Sequence, residues 1–351
     1  MNIDDILKQY DLDQRLDTFN VIETNPWYWP LEQSLSRICQ HFSRTPARFT
    51  FIKNREVQAH ALYQHNLVVM TTGMFDALCH VAAKVVSSGA FVDFEGGVSP
   101  KWSPAPDFYM PSIASDLSRK KFNWTLESID RIESGERQAL FFYLLQTLVN
   151  FVALHELGHI HHNHGARFLN QDFSHMDVDL AKPVLLTPQE GVEAQAREVV
   201  ADHFAFLRMQ NILEHDLKAK EDTELMMLFA KKVLQGEKEK TRFLLTIVYL
   251  YFHMMDRHDW HAVDAFRLTH PPAPFRLKFL FGSTLERGVS GFQEEDIAEM
   301  LGEQHYACNA LVSLVYNHPP TLDMFQRVGE PHFNDLHEAI YLEIPKWVNI
   351  D

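Results

Sequence analysis

Residues 139–165 read ALFFYLLQTLVNFVALHELGHIHHNHG: a nearly unbroken apolar run that ends in five histidines. Leu140, Phe141, Leu144, Leu145, Leu148, Val149 and Val152 recur at helical spacing, which predicts a long buried helix over 127–164. Gln146 and Asn150 interrupt the run before it reaches the ~20 apolar residues a bilayer span needs. FLLTIVYLYFHMM (243–255) is shorter still, so both runs read as core helices and no membrane span is expected.

Within this stretch His155, Glu156 and His159 form H-E-x-x-H. Residues at i and i+4 share one helix face, so both imidazoles can reach one ion. Glu156 lies about 100° around the helix, where it can flank a metal as a general base. Burying two imidazoles and a carboxylate on an apolar helix is costly unless they are paired or bind something. The spacing therefore favours one zinc ion per chain. His161, His162 and His164 are expected at an exposed helix end, where imidazolium suits the dipole, with Gly165 as the C-cap.

A catalytic zinc takes three protein ligands and keeps one open position. EAQAREVVADHFAF (193–206) offers Glu198 and Asp202 at i and i+4 on an apolar helix predicted over 188–213, with Thr187 as N-cap. Two carboxylates there repel by ~0.2–0.5 kcal/mol unless a cation lies between them. We assign Glu198 as the third ligand and Asp202 as the carboxylate that orients a ligand imidazole. Glu193 lies too far around the helix to share a site with Asp202.

The chain has 351 residues, a net charge of −15 and a pI of about 5.7. That balance disfavours nucleic acid or anionic membrane as a partner. Cys39, Cys79 and Cys308 imply no disulfide framework. The polar start MNIDDILKQYDLDQ lacks a signal-peptide pattern, so a cytoplasmic location is expected. Segment 1–45 reads as helical, residues 46–285 as the core, and 286–351 as a helical extension. PARFTFIKNREVQAHALYQHNLVVMTTG (46–73) predicts a small antiparallel sheet with an edge hairpin. Residues 87–125, rich in Gly, Pro, Ser and aromatics, read as an irregular insertion that could cover part of a cleft. The fold class is α+β and mainly helical.

Four segments together resemble the HtpX/CAAX-prenyl-protease family of gluzincin metallopeptidases. They are HELGH (155–159), EVVADHFA (198–205), LTHPPAPFRLKFL (268–280) and VQAHALYQHNLVVMTTGMFDAL (57–78). They follow that family's order over residues 57–280. The family's Asn-Ala pair is replaced by Gln58-Ala59 or His60-Ala61, and its membrane helices are missing. The resemblance implies a zincin-like fold and a zinc-dependent endopeptidase. In that scheme His155, His159 and Glu198 hold zinc, Glu156 is general base, His270 stabilises the oxyanion and Arg276 positions it. The expected partner is a protein or peptide, bound extended beside a strand near 57–70. A zinc hydrolase of a non-peptide amide or ester, and a zinc-stabilised scaffold with little activity, remain open alternatives.

Overall fold

The computed structural model describes residues 1–20, 28–87, 136–165, 186–218, 230–231, 234, 236–256, 264–286, 294–316 and 330–349. The helices are α1 (Ile3–Gln9), α2 (Tyr28–Phe42), α3 (Thr72–Ser87), α4 (Glu136–His161), α5 (Pro188–Lys218), α6 (Glu237–Met255), α7 (Ala273–Glu286), α8 (Glu294–Tyr316) and α9 (Pro331–Glu343). Among the described residues three strands join them: β1 (Arg48–Ile52), β2 (Ala59–Leu62) and β3 (Leu67–Thr71). The fold is α+β and mainly helical, as its sequence suggests. The insertion 87–125 lies almost wholly outside the described residues.

The sheet differs from the all-antiparallel expectation. Its order is β1-β3-β2, with β2 antiparallel to β3 and β1 parallel to β3. Every residue of β3 is buried, the pattern of a central strand that needs a partner on each side. Ala59–Leu62 alternates in burial, as an edge strand does. The hairpin between β2 and β3 is present, turned by a 3₁₀ segment at Tyr63–His65 and by Asn66 at φ 45°. The connector from β1 therefore crosses the end of β3. Thr71 donates its hydroxyl to a backbone carbonyl of that connector, and the Gly73 N–H donates to the Asn54 carbonyl at 2.8 Å. A Cβ at Gly73 would sit 2.1 Å from the Arg55 carbonyl oxygen, so only glycine admits this crossing.

Helix α4 is the axis of the main core. It packs against α2, α3, α5, α6 and the sheet, and Phe141, Phe151, Val152 and Leu154 are fully buried along it. Among the described residues it is the one helix long and apolar enough to cross a membrane, and most of it is buried inside the protein. A second apolar cluster joins α5 (Val192, Ala196, Val199, Val200) to α7 (Phe275, Phe279) and to α9 with its following turn (Phe333, Leu336, Ile340, Trp347). The C-terminal residues thus cover the outer flank of α5. The three cysteines are free and buried.

Phe151 sits one turn before His155, with ring contacts to Tyr251 and Phe252 at 5.7 and 5.8 Å. Phe151→Ala should cost about 3–5 kcal/mol in a denaturant titration, because the cavity lies buried between α4 and α6. A loss below about 1 kcal/mol would mean that α4 is not the axis of the core.

Candidate metal centre

The site forms where α4 crosses α5. The crossing is close because Gly158 faces Ala201: a Cβ on Gly158 would lie 3.1 Å from the Ala201 Cα. On α4, His155 and His159 face α5; on α5, Glu198 and Asp202 face back. The opening of α5 is a capping box, as TPQE suggests. The Glu190 N–H donates to the Thr187 hydroxyl, while the Thr187 N–H donates to the Glu190 carboxylate at 2.8 Å. That start fixes the helical phase in which Glu198 and Asp202 point at α4.

The two imidazole Nε2 atoms lie 3.3 Å apart. Glu198 Oε2 is 3.2 Å from His155 Nε2, and Glu198 Oε1 is 3.3 Å from His159 Nε2. Two nitrogens at the usual 2.0–2.1 Å from a tetrahedral zinc are themselves about 3.4 Å apart, so this spacing suits one ion. Glu198 Oε2 is buried and makes no hydrogen bond, although three imidazoles surround the carboxylate. An anionic oxygen without a donor, facing two ring nitrogens, is the donor set of a cation site. These three residues form a group able to hold a metal ion.

Charge in the site is set by its neighbours. Burial works against a charged His155, but its hydrogen bond to Asp202 and the charge of the nearby Glu198 carboxylate outweigh it and hold the imidazole up to about 10. Burial likewise opposes the Glu198 anion, yet His270, His159 and His155 bring its carboxyl well below the ordinary range. The pocket thus favours positive charge at the point where the three side chains converge. Asp202 accepts from His155 Nδ1 at 2.9 Å and from Arg276 Nε and Nη2 at 2.7 and 2.6 Å. The carboxylate holds a proton on His155 Nδ1, so Nε2 is the ring atom that faces Glu198. Arg276 is buried against the Phe252 ring, 4.0 Å from its centroid, so it acts through Asp202 rather than in the cleft.

Glu156 is half-buried on the open side of the cluster, and burial raises its pKa above the ordinary carboxylate value. His60 on β2 opposes that rise, and β2 packs against α4. His270 precedes α7, with Nε2 3.3 Å from Glu198 Oε2 and Nδ1 2.9 Å from the Thr269 hydroxyl. Two-fifths of its side chain is exposed. The segment before it is held by buried Gln195, which donates to the Ala265 and Leu268 carbonyls at 2.9 and 3.2 Å. Glu193 is outside the cluster, taking a hydrogen bond from Gln189 on the surface.

The remaining histidines overturn the solvated-end expectation. His162 and His164 are buried, and α4 ends at His161 with Asn163 at φ 53°, so Asn163 rather than Gly165 takes the left-handed position. The physical reason is the C-terminal turn, which covers this end. The Asn349 N–H donates to His162 Nδ1 at 3.1 Å, and His164 Nε2 lies 3.1 Å from the Trp347 carbonyl. Sequence reasoning missed Gln195, His60 and this C-terminal partner. The surviving signal was a run of histidines too apolar in context for a free helix end.

No family model, curated protein or solved structure matches this chain. The case for the site rests on its geometry.

Purified protein should bind about one zinc, read by atomic absorption, and His155→Ala or Glu198→Ala should lose most of it. Glu193→Ala should keep it; emptying of the site by Glu193→Ala with Glu198→Ala still loaded would refute the ligand set. A second expectation concerns pH. Burial pushes His162 down to about 3, so the folded state stays neutral while the unfolded chain takes up a proton near 6.5. Its contribution to stability is present above pH 6.5 and is lost as pH falls toward 3. Between pH 6.5 and 5 the loss is about 2 kcal/mol, and His162→Gln should flatten the metal-free stability profile by that amount.

Proposed function

We propose that this chain is a zinc-dependent endopeptidase. The observation that carries the reading is the convergence of His155, His159 and Glu198 around a carboxylate oxygen without a donor, with a second carboxylate, Glu156, one residue along the same helix. His155, His159 and Glu198 would hold zinc, which supplies Lewis acidity that polarises a carbonyl and acidifies water. The four sequence segments that resemble the HtpX/CAAX-prenyl-protease gluzincins favour peptide over other amides.

The protein's own groups divide the remaining work. Glu156 accepts a proton on its carboxylate from the attacking water and delivers it to the nitrogen of the leaving amine. Its raised pKa brings it nearer neutrality, which suits a group that must both take and give a proton. His270 offers a half-exposed imidazole at the rim, able to donate to the oxyanion that develops at the scissile carbonyl. Asp202 and Arg276 keep His155 in one tautomer and one orientation. Among the described residues strand β2 pairs with β3 on one side only and runs beside α4, so an extended peptide can add to its other edge.

Glu156→Gln should retain zinc and fold while losing about 10²–10⁴ or more of its turnover on unfolded casein. His270→Ala should lower kcat more than it raises KM, since the group acts mainly on the transition state. Equal turnover in wild type and Glu156→Gln, at full zinc loading, would remove the peptidase reading.

A further inference from the structure

We infer that His164 is a positioning residue of the metal centre, and that the C-terminal turn after α9 is part of that centre because its Trp347 carbonyl sets the proton on His164. The inference rests on reading His155, His159 and Glu198 as metal ligands.

The argument is one of hydrogen-bond direction. A backbone carbonyl can only accept, so the contact of His164 Nε2 with the Trp347 oxygen at 3.1 Å puts a proton on Nε2. His164 is fully buried, and its hydrogen-bond partners among the described residues are the Trp347 carbonyl and His159, neither of them an acid. As a neutral ring it then carries a bare Nδ1. That Nδ1 lies 2.9 Å from His159 Nδ1, so His159 must be the donor. The His159 proton is thereby held on Nδ1, and its Nε2 lone pair faces Glu198 and His155. His155 receives the same instruction from Asp202. Each candidate ligand imidazole is thus oriented by a partner on its far side, but the second partner is another imidazole, tied to a chain end 183 residues away.

The turn is held firmly enough to give that instruction. Trp347 is buried in the second apolar cluster, with the Arg197 guanidinium 4.9 Å above its ring, and Arg197 is the residue before Glu198. The Trp347 ring also meets the His164 ring edge to face, with centroids 6.0 Å apart. The Asn349 N–H donates to His162, whose ring stacks on His164 at an interplanar angle of 22°. One short segment therefore reaches behind a ligand on α4 and beside a ligand on α5.

The test is zinc affinity by competition with a chromophoric chelator, together with the visible spectrum of the Co²⁺ form, for wild type, His164→Leu, His164→Gln and His164→Asn. Asn carries an oxygen near the former Nδ1 and can accept from His159; Gln reaches toward Nε2, and Leu accepts nothing. The Leu and Gln variants should bind zinc about 10–100-fold more weakly and shift the Co²⁺ bands, while Asn restores most of the affinity. If Leu does not fold, the contrast between Asn and Gln carries the test. Unweakened binding in Leu and Gln, or equal weakening in Asn and Gln, overturns this inference alone. A wild-type chain that takes up no zinc overturns the metal reading and this inference with it.

Discussion

The close crossing of α4 and α5 is the constraint on which the rest depends. Gly158 against Ala201 lets the two backbones approach until the side chains three residues before and one residue after them meet head to head. Two imidazoles and two carboxylates then leave water together. Removing one partner of a buried charge pair typically costs 3–5 kcal/mol, because its neighbour is left uncompensated. Such an arrangement persists only if every charge has an answer. For Asp202 the answer is Arg276; for Glu198 the orphaned oxygen points to a cation.

Two relays run outward from the crossing. One passes from His155 through Asp202 to Arg276 and ends on the aromatic faces of α6. The other passes from His159 through His164 to the Trp347 carbonyl. They differ in kind. The first is charged and fixes a tautomer by electrostatic strength; the second is neutral and does so by the single polarity of a carbonyl. Both place the tautomer of a buried ring under the control of a distant element, which ties the geometry of the candidate metal site to the packing of α7 and of the C-terminal turn.

The open side of the cluster has the opposite character. Glu156 is half-buried, His270 is two-fifths exposed, and β2 is an edge strand. On the closed side His155, Asp202 and Arg276 are buried and bonded to one another, so they hold position. The open side retains groups that can change partners, as the proposed proton transfer and peptide docking would require. Gln195 links the two sides, since it fixes from within the chain segment that carries His270 to the rim.

Much of this was written in local pattern. H-E-x-x-H on a buried helix, Glu198 and Asp202 one turn apart, the Thr187 cap and the β2–β3 hairpin all follow from periodicities of 3.6 and 2, which depend on neighbours along the chain. What the sequence could not supply were directions decided by residues far away. The parallel pairing of β1 with β3 depends on which side of a fully buried strand is still open. The burial of His162 and His164 depends on a turn near residue 347, and no local rule separates a histidine run facing water from one under a C-terminal lid. Arg276 reads as a positioning residue for His270, whereas the fold sets it on Asp202, behind the candidate ligand His155. Sequence alone determined which groups share a helix face; only the tertiary structure decided what each group faces, because a hydrogen bond's direction belongs to both partners and one of them lies elsewhere in the chain.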